Sequence, residues 1–210
     1  MGPDSITTET LAKRGDFLRE IDLFAGMEDG KLEILAGNLF SRKYRKMDII
    51  FHQGDDSHTL YLIVKGKVRI YSTSPGGEEA SYRIFSEKDV IGEFAAIDGQ
   101  PRSTTAKAME DCVLIELERS KFLSYLEQMP ELSMGLIKHL VDKLRWTTDY
   151  AETIARYDAK GRLLHIILQY NDLFGREIEA GKVYEYKLYM NQEDLASMIG
   201  ARREWVNRIL

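Results

Sequence analysis

The sequence predicts an α+β fold in which an antiparallel β-roll is followed by a long helix and a C-terminal pair of short helices. From Phe40 to about Leu117 apolar residues recur at every second position, whereas residues 5–39 and the chain after Pro130 repeat with the spacing of a helix. Glycines separate the short alternating runs at regular intervals. Many short strands joined by glycine turns are typical of an antiparallel sandwich or roll.

The composition is that of a folded protein, with 44% hydrophobic and 30% charged residues in a chain of 210. The longest uninterrupted apolar run, Leu60 to Val64, is far shorter than a membrane span. Charged residues occupy the N-terminal segment, where a signal peptide needs an apolar core. The single cysteine, Cys112, can form no internal disulfide. We therefore predict a cytoplasmic protein that does not contact a membrane.

The net charge of −5 belongs entirely to the first 130 residues, because the segment from Glu131 to Leu210 carries 12 basic and 12 acidic residues. Local contacts with phosphates matter more for nucleic-acid binding than the average charge of a chain. A DNA-binding surface in the C-terminal part is therefore compatible with the acidic total.

A long helix is predicted to begin at Pro130, since proline suits the first turn of a helix. Apolar or small residues then follow with alternating steps of three and four, at Ile137, Leu140, Leu144, Thr147, Ala151 and Ile154. This heptad seam favours a two-stranded coiled coil between two copies of the chain over packing on its own domain. We predict an effector-binding roll with N-terminal helices at residues 1–129, a dimerisation helix at 130–157 and a DNA-binding domain at 158–210.

A break is predicted at Tyr157 and Asp158, where Asp158 has the character of an N-cap for a helix from Ala159 to Tyr170. We interpret these two residues as a hinge. A glycine turn near Gly181 precedes a strand-like run from Val183 to Leu188.

The last twenty residues have the spacing of a helix-turn-helix. Asn191 and Asp194 form a weak capping box at the start of the first helix, and Gly200 ends that helix. The inner face of the first helix is predicted to hold Leu195, Ala196 and Ile199, and that of the second, which starts near Arg202, to hold Val206, Ile209 and Leu210.

Three charged side chains of the second helix point away from this inner face. Arg203 and Arg208 could each offer a bidentate fork to guanine, and Glu204 could accept a hydrogen bond from cytosine. The alternative is a helical hairpin with a solvated charged face. The predicted DNA-binding set is Gln192, Arg202, Arg203, Glu204 and Arg208.

The stretch I-G-E-F-A-A-I-D-G-Q-P-R-S-T-T-A, residues 91–106, places Glu93 and Arg102 nine residues apart around a turn of small residues. The two opposite charges could pair with each other or could both face a third molecule.

Taken together, these motifs resemble the CRP/FNR family of bacterial transcription regulators. The segment Gly54 to Tyr71 is similar to the first glycine turns of that family's cyclic-nucleotide-binding roll, and residues 91–106 resemble its phosphate-binding cassette. The resemblance runs from about Leu23 to Leu210 and extends to the R-E-x-x-x-R pattern of the last helix.

The resemblance implies an effector, cAMP, and a role for each residue of the cassette. After the turn at Gly92, Glu93 would accept a hydrogen bond from the ribose 2′-hydroxyl. Arg102, Ser103 and the backbone N–H groups of Phe94 and Ala95 would bind the cyclic phosphate. We expect Arg102→Ala to abolish the response to nucleotide and to leave the fold intact.

The resemblance also implies partners. Thr147 and Thr148 would touch the adenine, one within its own subunit and one across the homodimer, although threonines could instead form a polar layer of a coiled coil. The implied DNA target is a TGTGA-like palindrome, and RNA polymerase is a possible partner. Two features depart from the family's pattern. Trp205 replaces a small hydroxyl residue, and the sequence ends at Leu210, within the predicted second helix. We therefore expect an incomplete winged helix with poor DNA affinity.

Other sensing chemistries are predicted to be absent. An iron–sulfur cluster needs several thiolates, and Cys112 is alone and in an apolar context typical of a core. None of the four histidines, His52, His58, His139 and His165, shows the spacing of metal or haem ligands. No nucleophile and base pattern emerges, so we predict no enzyme and no metal. Two alternatives stay open: the same regulator with another effector or none, and a nucleotide-sensing module that acts on a protein partner.

Overall fold

The computed structural model describes residues 8–179, 181–186 and 190–210. Two compact units are present. The chain up to Ile70 together with Ile84–Lys143 forms the first, and Tyr71–Arg83 together with Leu144–Leu210 forms the second. Within the described ranges, no helix combines the length and the apolar character needed to cross a membrane.

The N-terminal segment is helical, as predicted. Helix α1 spans Thr8–Arg19, a 3-10 turn spans Asp22–Phe24 and α2 spans Asp29–Ala36. Leu18, Leu23 and Leu32 are among its fully buried residues. These side chains form one apolar cluster with residues of the roll, so the N-terminal helices belong to the core of the first unit.

The predicted antiparallel roll is confirmed. Its strands are β1 (Phe40–Tyr44), β2 (Ile49–Phe51), β3 (Leu60–Lys65), β4 (Val68–Thr73), β5 (Glu79–Phe85), β6 (Val90–Ile91), β7 (Thr105–Ala108) and β8 (Cys112–Leu117). They form two four-stranded sheets with the orders β1-β8-β3-β6 and β2-β7-β4-β5. Helix α3 (Glu93–Asp98) connects β6 to β7, and α4 (Arg119–Gln128) follows β8.

Glycine turns and a second apolar cluster fix the shape of the roll. Gly54, Gly66 and Gly92 have positive φ, as their predicted turn positions require. A β-carbon on Gly66 would lie 2.6 Å from Sγ of Cys112. Cys112 is buried within the second cluster, which confirms that it is a core residue, and burial raises the pKa of its thiol.

Helix α5 spans Pro130–Arg156 and begins at the predicted proline. The predicted seam is wrong at Leu140, because this residue packs against the N-terminal core, following Leu132 and Leu136 at helical spacing. The exposed apolar residues of the same helix include Met134, Ile137, Val141, Leu144 and Ile154. At this turn of α5 the exposed apolar residue is therefore Val141, one position after the predicted Leu140.

The second unit contains the remaining helices. Helix α6 spans Ala159–Phe174, one turn beyond the predicted end, and the carboxylate of its N-cap Asp158 accepts a hydrogen bond from the Gly161 amide. An antiparallel hairpin follows, with β9 at Gly175–Glu179 and β10 at Val183–Tyr186. Strand β9 was not predicted, and the predicted continuation of β10 to Leu188 lies outside the described residues.

The C-terminal helices have the predicted geometry at their turn. Helix α7 (Gln192–Ile199) begins with a complete capping box between Asn191 and Asp194, and Gly200 ends it with φ +62°. Helix α8 spans Arg203–Ile209. Leu195, Ala196, Ile199 and Val206 are buried, as predicted.

The predicted inner face of α8 is wrong at its end. Ile209 is 42% exposed and Leu210 is 67% exposed. Helix α8 is only seven residues long, and Val206 is its one buried residue in the described part of the chain. The end of α8 therefore has no element packed over it among the described residues.

We expect Gly135→Ala to destabilise the first unit. A β-carbon at Gly135 would overlap the carbonyl oxygen of Leu23, so α5 and the 3-10 turn would have to move apart. Overpacking of this kind costs about 1–3 kcal/mol, and sometimes more. The control is Gly30→Ala in α2, where a β-carbon meets nothing within 4 Å. Thermal and denaturant unfolding should show a large loss for Gly135→Ala and little change for Gly30→Ala; equal losses would contradict the close packing.

Candidate effector pocket and nucleic-acid interface

The cassette begins where β6 ends at a glycine that no other residue can replace without strain. Gly92 has φ +79° and is the N-cap of α3. A β-carbon at this position would lie 2.5 Å from Nη1 of Arg102 and 3.0 Å from the carbonyl oxygen of Thr59. The positive φ and the close approach of Arg102 both require glycine here.

Arg102 is 3% exposed and is held by the backbone of the roll. Its Nη1 donates to the Gly92 carbonyl at 2.8 Å, and its Nη2 donates to the Thr59 carbonyl at 2.6 Å and to the Ser57 hydroxyl at 3.3 Å. The guanidinium also lies over the ring of Phe51, 4.2 Å from its centroid. Burial lowers the pKa of Arg102, but an arginine side chain stays charged at neutral pH.

The Nε donor of this guanidinium is available to a further acceptor. Nε of Arg102 is buried, and no described residue accepts its hydrogen. A buried donor without an acceptor is costly unless something else accepts its hydrogen. A phosphate oxygen is the kind of acceptor that a planar guanidinium favours. The donor set therefore fits an anionic group at this position.

Glu93 does not form an ion pair with Arg102, although both side chains are buried. Glu93 is 2% exposed and forms an ion pair with Lys143, with 2.5 Å between Oε1 and Nζ. Lys143 also donates to the Val90 carbonyl at 3.0 Å and lies 4.8 Å from the centroid of the Phe85 ring. Such a partner offsets part of the cost of burying a charged group.

Sequence reasoning missed Lys143. The two ion-paired residues are 50 positions apart in the chain. Lys143 precedes Thr147 by four residues on α5, so the two share a helical face. A basic residue one turn before the two threonines was the available signal for a charged partner of Glu93.

The remaining cassette residues lie around these charges. Phe94 and Ala95 occupy the first turn of α3, with the Phe94 side chain exposed and Ala95 buried. Ser103 directly follows Arg102 and is exposed. The structure brings Gly92 and Glu93 to the buried guanidinium of Arg102. Ser103, in contrast, lies at the surface.

The geometry contradicts the expectation that Arg102→Ala leaves the fold intact. Truncation would remove the donors that hold the Gly92 and Thr59 carbonyls. It would also leave a cavity beside Phe51. Arg102 is a structural residue of the roll as well as a candidate ligand, so its alanine variant is a poor probe of ligand binding.

The two candidate base-contacting residues lie on α5 within the second unit. Thr147 and Thr148 are both exposed. The Thr148 hydroxyl donates to the Leu144 carbonyl at 3.0 Å, within its own helix. Contact of either threonine with a base stays a prediction.

The predicted hinge falls at the break between α5 and α6. Tyr157 and Asp158 lie outside both helices. The Tyr157 carbonyl accepts a hydrogen bond from Nη1 of Arg162 at 2.9 Å, and the Tyr157 ring stacks on His165 with centroids 6.1 Å apart. Motion at this point stays a prediction.

The candidate nucleic-acid interface is the outer face of α8. Arg202 is its N-cap, and the side chains of Arg203, Glu204 and Arg208 are exposed. Gln192, at the start of α7, donates from Nε2 to Oδ1 of Asn207 at 2.9 Å. This bond ties α7 to α8 next to the charged residues, and Asn207 is a residue that sequence reasoning did not single out.

Nothing in the described part of the chain points to a metal. No group of three or more His, Cys, Asp or Glu side chains there has the geometry to hold an ion. His58 instead lies 3.2 Å from the Gly99 carbonyl and 3.3 Å from Asp56.

Two models of known protein families match parts of the chain. Residues 41–129 match the model of the cyclic nucleotide-binding domain, and residues 161–210 match that of the Crp-like helix-turn-helix domain. The class of protein is therefore a regulator that joins a cyclic nucleotide-binding roll to a helix-turn-helix.

Individual proteins show the same architecture. A CRP-like cAMP-activated global transcriptional regulator of Mycobacterium tuberculosis is 28% identical over 195 residues, which are 93% of this chain and 86% of that protein. The structure of the Thermus thermophilus catabolite activator protein has a TM-score of 0.59 and 26% identity, covering 90% of this chain and 84% of that one. For the c-di-GMP-responsive regulator CLP of Xanthomonas campestris the TM-score is 0.73 at 23% identity, covering 87% and 90%. The chain belongs to the CRP/FNR family of transcription regulators.

Gly92→Ala is expected to destabilise the first unit more than an alanine at another glycine of positive φ. The control is Gly26→Ala, which has φ +83° but no atom within 4 Å of a β-carbon. Both variants carry backbone strain of about 1–2 kcal/mol. Only Gly92→Ala also displaces Arg102, which adds about 1–3 kcal/mol of overpacking. Denaturant unfolding measures the difference, and identical midpoints for the two variants would argue against the Gly92–Arg102 contact.

Proposed function

We propose that this protein is a homodimeric, ligand-gated regulator of transcription in the cytoplasm, with cAMP as its effector. The observation that carries the proposal is the separation of the two buried charges. Glu93 pairs with Lys143, and Nε of Arg102 is a buried donor for which the described residues provide no acceptor. If Glu93 and Arg102 formed an ion pair with each other, the two charges would compensate one another and the cassette would need no ligand.

The cyclic phosphate of cAMP carries one negative charge, which suits Arg102. The guanidinium would bind a phosphate oxygen, with further hydrogen bonds from Ser103 and from the backbone N–H groups of Phe94 and Ala95. Glu93 would accept a hydrogen bond from the ribose 2′-hydroxyl, and its ion pair with Lys143 holds the carboxylate in place for that purpose.

The base would lie toward α5. Thr147 occupies the same helical face as Lys143, and Thr148 is its neighbour. We propose that these hydroxyls contact the adenine, one in its own subunit and one in the partner of a homodimer. The names of the relatives activated by cAMP support this choice of effector.

The proposed dimer forms through α5. Met134, Ile137, Val141 and Leu144 are exposed and follow steps of three, four and three along the helix. Such a stripe in a second copy would give the knobs and holes of a two-stranded coiled coil. Burial of these four side chains on each copy would stabilise the pair.

The proposed output is DNA binding. Arg203, Glu204 and Arg208 would read base edges in the major groove, and Arg202 and Gln192 would contact the backbone. In a dimer the two α8 helices would enter half-sites about 34 Å apart, which is one turn of DNA. We propose a TGTGA-like palindrome as the target, with RNA polymerase as a further partner.

The effector would act by shifting an equilibrium between two arrangements of the dimer. A ligand shifts such an equilibrium only by its differential affinity for the two states. We propose that cAMP binds more tightly when both threonine pairs reach the bases, and that the chain bends at Tyr157 and Asp158 as a result.

Glu93→Gln is expected to weaken cAMP binding by about tenfold to a hundredfold, because a hydrogen bond to a charged acceptor is replaced by one to a neutral amide. The control is Glu131→Gln, which breaks the Lys31–Glu131 ion pair of 2.7 Å in the same unit without touching the cassette. Isothermal titration calorimetry with cAMP should show wild-type affinity for Glu131→Gln only. No heat from the wild type at millimolar cAMP would rule out this effector, and unchanged affinity in Glu93→Gln would rule out the assigned role.

Arg203→Ala is expected to weaken binding to a palindromic TGTGA site by about 5- to 150-fold and to relax specificity at one base pair. The control is Arg176→Ala, an exposed arginine of β9 outside the interface. Mobility shifts with full-length protein, on the palindrome and on singly substituted sites, measure both effects. Equal behaviour of the two variants would point instead to α8 as a surface for a protein partner.

A further inference from the structure

We infer that Phe51 and Tyr61 are positioning residues of the effector site. Their rings, which we call the aromatic cradle, set the plane of the Arg102 guanidinium and take the place of a counter-ion for it. The inference rests on the proposed function, because it names the residues that aim Arg102 at the phosphate of the effector. We assign to the two rings no contact with the ligand itself.

Two carboxylates act electrostatically on Arg102, and both are bound by other groups. Glu93 forms its ion pair with Lys143. Oδ2 of Asp55 accepts a hydrogen bond from the backbone amide of His52 at 2.7 Å. The acceptors that Arg102 itself reaches are two backbone carbonyls and one hydroxyl, which are neutral groups. Among the described residues, the buried guanidinium is therefore held without a counter-ion.

Tyr61 interacts electrostatically with Arg102 and with a third carboxylate, that of Glu116 on the neighbouring strand β8. This carboxylate is also engaged elsewhere. Glu116 accepts a hydrogen bond from the Tyr44 hydroxyl at 3.0 Å and lies 3.6 Å from Nη1 of Arg42. Burial raises the pKa of Tyr61, so its phenol stays neutral. The side chain that the roll places against Arg102 is thus an uncharged ring, and the charge of Arg102 stays uncompensated.

The aromatic cradle stabilises this charge without neutralising it. The guanidinium carbon of Arg102 lies 4.2 Å from the centroid of the Phe51 ring and 5.7 Å from that of the Tyr61 ring. The two rings stack with centroids 5.8 Å apart, and both side chains are buried. The attraction between a cation and the face of an aromatic ring is strongest where water is excluded. The site therefore keeps a positive charge for an anionic ligand.

The cradle also fixes a direction that the hydrogen bonds leave open. Nη1 of Arg102 is held by the Gly92 carbonyl, and Nη2 is held by the Thr59 carbonyl. Two such bonds define a line through the guanidinium, and the ring faces limit the tilt of its plane about that line. This tilt decides where the buried Nε–H points. Because hydrogen bonds are directional, Phe51 and Tyr61 would determine which oxygen of a bound phosphate Nε reaches.

The test measures which phosphate oxygen is recognised. Each of the two phosphorothioate diastereomers of cAMP carries sulfur in place of one exocyclic phosphate oxygen, and calorimetry with the full-length protein gives the affinity for each. Sulfur is the weaker acceptor, so the wild type should prefer one diastereomer by about tenfold, which corresponds to about one hydrogen bond. Phe51→Leu keeps an apolar side chain but removes the ring, so this preference should fall to about twofold or less.

The second pair of variants separates the ring from the hydroxyl. Tyr61→Leu should lower the preference, whereas Tyr61→Phe, which keeps the ring, should retain it; this pair decides the question if Phe51→Leu unfolds. The matched structural control is Val68→Ala, which removes two methyl groups from the same apolar cluster and changes neither ring. A merely structural role of the rings would lower stability in all three truncated variants and leave the preference unchanged. That result would overturn the inference, as would an equal loss of preference in Val68→Ala.

A second measurement follows the cradle without any ligand. Aromatic ring currents shift the NMR resonances of nearby protons, so the Nε–Hε resonance of Arg102 should move in ligand-free Phe51→Leu and stay in place in Val68→Ala. An unmoved resonance in Phe51→Leu would contradict the cradle. A wild-type protein that binds neither cAMP nor its diastereomers would overturn the proposed function, whereas the resonance of Arg102 would still decide whether the rings position the guanidinium.

Discussion

The guanidinium of Arg102 is buried inside the roll, and the geometry of the cassette depends on it. A buried charge is costly unless it is hydrogen-bonded, and the Gly92 and Thr59 carbonyls together with the Phe51 ring provide most of that environment. The same contacts explain why position 92 must be glycine and where α3 begins. The position of Glu93 follows directly, since it is the first residue of that helix. One side chain thus sets the fold of the cassette and, in the proposed function, would bind the ligand.

The buried Glu93–Lys143 pair is the second determinant, because it ties the cassette to the long helix. Truncating one partner of a buried pair leaves an uncompensated charge, so the pair acts as a unit. Lys143 lies on α5, and the hydroxyl of Tyr150, farther along the same helix, donates to the Met198 carbonyl of α7. Helix α5 therefore contributes one side chain to the cassette, through Lys143, and another to the contact with α7, through Tyr150. Such an arrangement suits a regulator, in which a small ligand must alter a distant surface.

Much of this architecture could be predicted from local sequence signals. Alternating apolar residues predicted the strands, Pro130 predicted the start of α5, and the pair Asn191 and Asp194 predicted the capping box. Each of these features depends on residues that are close together in the chain. The periodicity of α5 was read one residue out of register at Leu140, because a heptad pattern alone does not show which face meets the N-terminal core.

The features that sequence reasoning missed depend on contacts between distant segments. Lys143 meets Glu93 across 50 residues, and Ser81 meets Ser197 across 116. No local pattern encodes such pairs, and lone lysines and serines are most often surface residues. The buried position of Arg102 was missed for the same reason: the motif showed a charge suited to a ligand, but only the fold shows how many backbone groups that charge also supports.

The most direct test of the central claim compares cAMP with 2′-deoxy-cAMP by calorimetry, in the wild type and in Glu93→Gln. If Glu93 accepts a hydrogen bond from the ribose 2′-hydroxyl, removal of that hydroxyl should weaken binding to the wild type by about 1.5–3 kcal/mol. In Glu93→Gln the difference between the two ligands should shrink to about 0.5–1.5 kcal/mol, because the amide oxygen still accepts a weaker hydrogen bond. A wild-type protein that binds the two ligands equally well would contradict the account.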